Sequence, residues 1–153
     1  PGIVHLIDGM NDAEEECERY GHLIQEAPID MICLGVGENG HIAFNDPPVA
    51  DFHDPYVMKK VKLDPISRQQ QVNDGCFASI DEVPHYALTL TIPAMMSGVR
   101  LFCIVPGKSK QAAIRHMLTA EVSTSCPATI LRQHDNCTLY VDLDAFGAVW
   151  HED

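Results

Sequence analysis

The chain has 153 residues, of which 46% are hydrophobic and 21% charged, and its 10 Lys and Arg against 22 Asp and Glu give a net charge of −12. This composition excludes disorder and low-complexity architecture, and no apolar run approaches the roughly 20 residues that cross a bilayer. An acidic chain lacks the positive surface that nucleic acid or an anionic membrane requires, so we expect neither as a partner.

Strand-like apolar runs alternate with helix-like stretches along the whole chain. The run at 30–35 is almost continuously apolar, as expected for a strand covered on both faces. Alternation of strands and helices implies right-handed crossovers, so the expected fold class is α/β, Rossmann-like, with a mostly parallel sheet and helices on both faces. The predicted strands are 3–7, 30–35, 57–63, 87–91, 101–105 and 138–141.

The predicted helices begin at recognisable caps. Asn11 or Asp12 can cap a helix that starts near residue 13, and Asp64-Pro65 supplies an N-cap and an N1 proline for the next one. A third helix is predicted from Lys108 or Ser109 through residue 117, and a short fourth one over 127–131. Lys60 and Lys62 are two residues apart on a predicted strand, so they share one face, which is predicted to point to solvent. Trp150 is predicted to anchor packing.

The six cysteines contain no C-x-x-C pair, so zinc-ribbon and thioredoxin-type sites lack their spacing. Cys33 and Cys103 sit in apolar strands, where a small buried thiol is expected. A chain of this size needs no disulfides to be stable, and we expect reduced thiols and a cytoplasmic location. The histidines outside the motif described next show no metal-ligand spacing, so no metal is inferred. They are His5, His22, His53, His85, His116, His134 and His151.

A glycine-rich turn follows the second predicted strand, as Gly35-Val-Gly-Glu-Asn-Gly40. Its G-x-G-x-x-G spacing matches the dinucleotide fingerprint, in which glycines let a ligand oxygen approach the backbone amides. Pro47 and Pro48, however, stop any helix within two turns, and the acidic residue expected about 20 residues further on has no candidate outside a loop. We therefore reject a nicotinamide site.

Polar side chains crowd the same turn. Asn39, His41, Asn45 and Asp46 lie within eight residues at the carboxyl end of a strand, where open α/β sheets bind ligands. A histidine beside a carboxylate can exchange protons near neutral pH, since the carboxylate fixes its tautomer and favours the imidazolium. An acid–base site and an ordinary polar loop are about equally consistent with this pattern.

The segment Gly35-Val-Gly-Glu-Asn-Gly-His-Ile-Ala-Phe-Asn-Asp-Pro47 resembles the signature of the glucosamine-6-phosphate deaminase (isomerase) family. The segments 83–89, 105–112 and 127–134 resemble later segments of that family in order and spacing. The likeness covers nearly the whole chain. The 6-phosphogluconolactonases share the fold and an Asp-Gly-His turn, but not the His-Ile-Ala-Phe-Asn run.

The resemblance implies particular roles. His41 would be the acid–base group of sugar ring opening, Asp46 would support it in the place of a family glutamate, and Asn39 would orient it. Lys110 would contact the substrate phosphate. Gly37, Gly40 and Asn45 are predicted to bind substrate as well.

Two family features lack a match. The arginine that contacts phosphate has Arg68 as its nearest candidate, which lies too early in the chain. The N-terminal part of the family, with a phosphate-cradling loop and the aspartate that moves the C2 proton, has no counterpart, and Asp8 does not match that aspartate's motif. We therefore expect 1–153 to be a single α/β sugar-phosphate isomerase domain, the C-terminal part of a longer family fold.

The predicted function is that of a glucosamine-6-phosphate deaminase, which gives fructose 6-phosphate and ammonia by acid–base catalysis without a metal or organic cofactor. The expected partner is an amino sugar phosphate, and a homo-oligomer is left open. Two alternatives remain: a 6-phosphogluconolactonase-like hydrolase, and a non-catalytic sugar-phosphate sensor. Release of ammonia from glucosamine 6-phosphate would distinguish the deaminase from the hydrolase and from the sensor.

Overall fold

The computed structural model describes residues 2–147, and the predicted packing anchor Trp150 lies outside them. None of the helices in this part of the chain is long and apolar enough to span a membrane. The strands are β1 (Met31–Leu34), β2 (Met58–Lys62), β3 (Tyr86–Leu90), β4 (Arg100–Val105) and β5 (Cys137–Val141). The helices are α1 (Ala13–Gln25), α2 (Pro65–Asn73), α3 (Ile92–Met96), α4 (Gln111–Thr119) and α5 (Leu143–Phe146), with 3-10 turns at Ile80–Glu82, Lys108–Lys110 and Pro127–Gln133.

The predicted α/β class is confirmed: a parallel sheet in the order β1-β4-β5 is flanked by helices. Strands β2 and β3 form a separate antiparallel pair, so the sheet is not parallel throughout. Lys60 and Lys62 are exposed on β2, as predicted. The caps also agree, since Asp12 accepts hydrogen bonds from the N–H groups of Glu14 and Glu15, and Asp64 accepts one from Ile66.

One face of the parallel sheet carries the hydrophobic core. Leu101, Cys103 and Val105 alternate toward it along β4 and are at most 1% exposed, packed with Ile114 of α4 and Leu131 of the Pro127–Gln133 turn. Cys103 is the buried thiol that the sequence predicts, and burial raises its pKa to about 12. None of the six cysteines, all of which lie in the described part, is in a disulfide.

The opposite face of the sheet, which we call the outer face, carries the apolar residues Met31, Cys33, Phe102, Ile104 and Tyr140, together with Arg100 and Thr138. Their shared side follows from strand alternation and from the register that pairs Cys33 with Phe102 and Ile104 with Tyr140. Met31 is 57% exposed and Cys33 is exposed. The predictions that β1 is covered on both faces and that Cys33 is buried are therefore wrong for the described residues.

The predicted strand at 3–7 is also wrong, because this segment pairs with no strand within the described part of the chain. It runs instead as an arm whose apolar side chains are exposed, Ile3 by 86% and Leu6 by 76%. The buried carboxylate of Glu16 accepts a hydrogen bond from the Asp8 N–H at 2.7 Å, and Arg19 donates to the Leu6 carbonyl at 2.9 Å. Hydrogen bonds from Arg19 and from that N–H hold the pKa of Glu16 at about 2, so its charge anchors the arm.

Candidate active site

The glycine-rich turn leaves the carboxyl end of β1 and folds back on itself. The Gly37 N–H donates to the His41 carbonyl and the Gly40 N–H to the Gly37 carbonyl, both at 2.9 Å. Gly40 has a φ of +81°, which favours glycine, and a Cβ there would come within 2.5 Å of the Cys126 sulfur. The turn therefore needs glycine at this position both for its backbone and for its packing.

Gly37 lies directly against the imidazole of His41. A Cβ added to Gly37 would overlap three ring atoms of His41, Cε1, Nδ1 and Nε2. The glycine thus leaves room for the ring, which is 7% exposed. The sequence predicted a substrate contact for Gly37, and the structure adds a close approach to the histidine.

Three oxygen atoms surround Nδ1 of His41. Asn39 Oδ1 lies at 2.7 Å, Ser67 Oγ at 2.8 Å and Asp46 Oδ1 at 3.1 Å. Asn39 Oδ1 also accepts a hydrogen bond from the His41 backbone N–H at 3.1 Å, which fixes the orientation of its amide. The structure thus brings together three residues that the sequence singled out and one, Ser67, that it did not.

The carboxylate of Asp46 is 1% exposed and has hydrogen-bond donors at both oxygens. Asn39 Nδ2 and the Ser67 hydroxyl donate to Oδ1, and the Asp64 N–H donates to Oδ2 at 2.9 Å. Burial raises the pKa of Asp46, but hydrogen bonds from His41, Ser67, the Asp64 N–H and Asn39 outweigh it and lower that pKa to about 2. Asp46 is therefore a buried negative charge at neutral pH.

These contacts select one tautomer of the neutral ring. The Asn39 carbonyl oxygen and the Asp46 carboxylate can only accept hydrogen bonds, and the Ser67 hydroxyl already donates to Asp46. The single ring proton of neutral His41 must therefore sit on Nδ1. Nε2 then carries a free lone pair. Since Nδ1 faces the buried cluster while the ring lines the cavity described next, Nε2 is the nitrogen available to a ligand.

A cavity of about 520 Å³ opens beside the ring, within the size range of small-molecule sites. Its wall includes Gly37, His41, Gln71, Thr89 and Lys110. In the described part of the wall, Lys110 is the one side chain with a permanent charge. The cavity therefore combines a proton acceptor, neutral polar groups and a cation at the carboxyl ends of β1 and β4.

Other predicted site residues lie behind the wall of the cavity. Asn39 and Asp46 touch the ring of His41 rather than the cavity. Asn45 is 1% exposed and its amide donates to the carbonyls of Ile42 at 3.1 Å and Leu90 at 2.8 Å, so it joins the turn to β3. The roles predicted for Gly40 and Asn45 in binding substrate stay predictions.

Arg68, the nearest sequence candidate for the phosphate-binding arginine, is used elsewhere. Its guanidinium donates to the carbonyls of Ile80 at 2.7 Å and Val83 at 2.8 Å, and it does not line the cavity. The neighbouring helical residues Ser67 and Gln71 face the site instead. Helical periodicity could have placed these two on one face of α2, since they are four residues apart.

Within residues 2–147, no group of three or more His, Cys, Asp or Glu side chains is placed to hold a metal ion. The site is thus an acid–base cluster next to a cation. The pair formed by a buried carboxylate and a ring nitrogen can move protons, and Lys110 can attract an anionic group.

This fold is shared with the 6-phosphogluconolactonases. A structure of that enzyme from Leishmania guyanensis superposes with a TM-score of 0.66 at 19% identity, over 90% of this chain and 53% of that one. A monomeric glucosamine-6-phosphate deaminase superposes more closely, with a TM-score of 0.82 at 36% identity over 90% of this chain and 55% of the other.

Sequence comparison also gives glucosamine-6-phosphate deaminases, although no family model matches the chain. The chain is 35% identical over 144 residues to the glucosamine-6-phosphate deaminase of Bacillus cytotoxicus, and 38% identical over 132 residues to that of Streptococcus equi subsp. zooepidemicus. The matches cover 94% and 86% of this chain but 53% and 54% of those proteins, so it spans about half their length. The predicted resemblance to glucosamine-6-phosphate deaminases is confirmed.

Proposed function

We propose that the chain supplies the ring-opening half of a glucosamine-6-phosphate deaminase, which converts glucosamine 6-phosphate and water to fructose 6-phosphate and ammonia. The observation that carries the proposal is that Asn39 and Ser67 hold Nδ1 of His41 while the ring lines a cavity shared with Lys110, which leaves Nε2 for the substrate. The named activity of the relatives supports it.

His41 would move a proton twice during ring opening. Nε2 takes the proton of the anomeric hydroxyl and returns a proton to the ring oxygen as the carbon–oxygen bond breaks. While the ring is an imidazolium, Asp46 stabilises its charge from the Nδ1 side and Asn39 keeps its orientation. This chemistry needs no metal or organic cofactor.

The later steps are an aldose–ketose isomerisation. A base removes the C2 proton and the C1 oxygen gains one, which forms an enolamine. C1 then receives a proton, and water replaces the resulting imine at C2 so that ammonia leaves. We assign no described residue to the C2 base, since the exposed Asp8 does not line the cavity and its carboxylate accepts from the Met10 N–H.

We also propose that residues 1–153 act as one domain of a longer assembly and correspond to the C-terminal part of the relatives. Two features support this: the outer face leaves apolar side chains such as Met31 in water, and the arm at 3–7 has strand character but no strand partner among residues 2–147. Strands of parallel sheets are ordinarily covered on both faces.

We also propose a cytoplasmic location, since the free thiols of all six cysteines agree with a reducing compartment.

The test is to co-express the chain with the part of the Bacillus cytotoxicus deaminase that lies outside their match. We expect a complex of the two polypeptides that releases ammonia from glucosamine 6-phosphate, while neither polypeptide does so alone. His41→Gln in the chain should abolish release, and His53→Gln, an exposed histidine outside the site, should leave it unchanged. Failure of the two polypeptides to associate would contradict the domain proposal.

A complex that binds glucosamine 6-phosphate without releasing ammonia would instead favour the sugar-phosphate sensor. Hydrolysis of 6-phosphogluconolactone would favour the lactonase alternative, which the shared fold keeps as the second candidate. The lactonase assay is run on the same complex, with the same His41→Gln control.

Lys110 is expected to hold the phosphate of the substrate. Replacing it with methionine keeps the length of the side chain and removes its charge, so KM should rise about tenfold, the equivalent of one charge-assisted hydrogen bond, with little change in kcat. Lys108→Met is the matched control, because Lys108 lies in the same turn but is exposed and does not line the cavity. Equal effects of the two replacements on KM would show that only the overall charge matters.

A further inference from the structure

Ser67 is buried at the centre of the site, 1% exposed, on the first turn of α2. Its Oγ lies 2.8 Å from Nδ1 of His41 and donates its proton to Asp46 Oδ1. The carboxylate oxygen itself is farther from the ring, at 3.1 Å. The hydroxyl therefore bridges the buried charge and the histidine.

We propose that Ser67 is a positioning residue, which keeps the proton of the neutral His41 ring on Nδ1 and so leaves Nε2 free toward the cavity. By donating to Asp46, the hydroxyl presents its own lone pair to Nδ1 and can only accept from the ring. Asn39 Oδ1 also accepts from the ring, so Nδ1 of His41 lies 2.7 Å from the Asn39 oxygen and 2.8 Å from the Ser67 oxygen.

A hydroxyl could in principle donate to Nδ1 instead, which would place the ring proton on Nε2 and block proton uptake from a ligand. The fixed acceptor Asp46 prevents this, because its buried carboxylate must keep its donors to offset the cost of desolvation. The helix that carries Ser67 is held in place next to it, since Arg68 donates to the Ile80 and Val83 carbonyls. The position of Ser67 is thus fixed by its own bond to Asp46 and by the backbone contacts of the next residue, Arg68.

The proposal rests on the proposed function only for the proton transfer at Nε2. Protonation of Nδ1 can be measured in the chain without any substrate turnover. In the 153-residue chain with 15N-labelled histidine, NMR at neutral pH should show a His41 ring that is protonated on Nδ1, with slow exchange of that proton with solvent. In Ser67→Ala, loss of one hydrogen bond should speed this exchange about tenfold. Ser67→Thr, which retains a hydroxyl, should restore slow exchange.

Thr129→Val is the matched control. It removes an equally buried hydroxyl, which is bound to Cys126 and Ser123 rather than to the ring, and should leave the exchange rate of the His41 proton unchanged. Unchanged exchange in a folded Ser67→Ala protein would overturn the proposal, as would an equal acceleration in Thr129→Val. If Ser67→Ala does not fold, Ser67→Cys, whose sulfur is a weaker acceptor, is judged by the same comparison.

The role in turnover is then tested separately, in the co-expressed complex. A positioning role predicts that Ser67→Ala lowers kcat for ammonia release with KM nearly unchanged, and that Ser67→Thr recovers kcat. An inactive wild-type complex would contradict the proposed function, whereas the NMR result would still decide the role of Ser67 on the ring. Equal kcat values in wild type and Ser67→Ala would overturn the catalytic consequence of that role.

Discussion

Replacing Gly37 with alanine should stop the acid–base chemistry of the site almost as completely as replacing His41 itself, with a loss of about 100-fold or more in ammonia release by the co-expressed complex. The added methyl group would overlap Cε1, Nδ1 and Nε2 of the imidazole. The ring must therefore leave the position in which Asn39 and Asp46 hold Nδ1. The measurement is kcat, together with the NMR signals of the ring in the chain alone.

Gly21→Ala, in α1 and outside the wall of the cavity, is the control for this experiment. Outside its own helix its Cβ would meet only Val57 Cβ, at 3.7 Å, and neither glycine has the positive φ that strains other residues. The difference between the two alanine variants therefore reports overlap with His41 rather than backbone strain. A Gly37→Ala complex with near-normal kcat would show that the ring position seen here is not the active one.

The second prediction concerns Asp46 and acid stability. The pKa of Asp46 is lowered from 3.8 to about 2 in the folded chain, so the folded state gains stability once the carboxyl is ionised. This contribution is fully present above about pH 4 and is lost as pH falls through about 2. Asp46→Asn should lower the free energy of unfolding by about 2 kcal/mol at pH 7, and the difference from wild type should shrink between pH 4 and pH 2.

The measurement is urea unfolding of both proteins across that pH range. Asp51→Asn is the matched control: Asp51 is exposed and its side chain accepts from the His53 N–H, a bond that asparagine can also make. We expect a change of no more than about 0.5 kcal/mol for it at any pH. A difference between Asp46→Asn and wild type that stays constant from pH 7 to pH 2 would mean that the ionised carboxylate is not what stabilises the fold.

The sequence predicts the centre of the site well because its parts are local. Asn39, His41 and Asp46 lie within eight residues in a turn whose glycines force them together, and the structure places all three in contact. Ser67 could not be found this way. It is 26 residues from His41, and its contact depends on how α2 packs against the turn.

The errors in the fold have a different origin. The apolar side chains of 3–7 and of β1 are suited to a sheet that is buried on both faces. The sequence pattern does not show whether another element packs against them. In the described chain Cys33 lies on the outer face and Ile3 lies in the arm, both in water. Arg68 shows that residue type alone is also insufficient. Its charge made it a candidate for binding an anion, but in the fold its guanidinium donates to two backbone carbonyls.

The outer face also governs how copies of the chain behave toward each other. With a net charge of −12, two copies repel at low ionic strength, while apolar groups such as Met31 and Tyr140 favour contact. Added salt screens the repulsion and leaves the apolar attraction in place. We therefore expect any self-association of the chain to increase with added salt, whereas an association held by ion pairs would weaken.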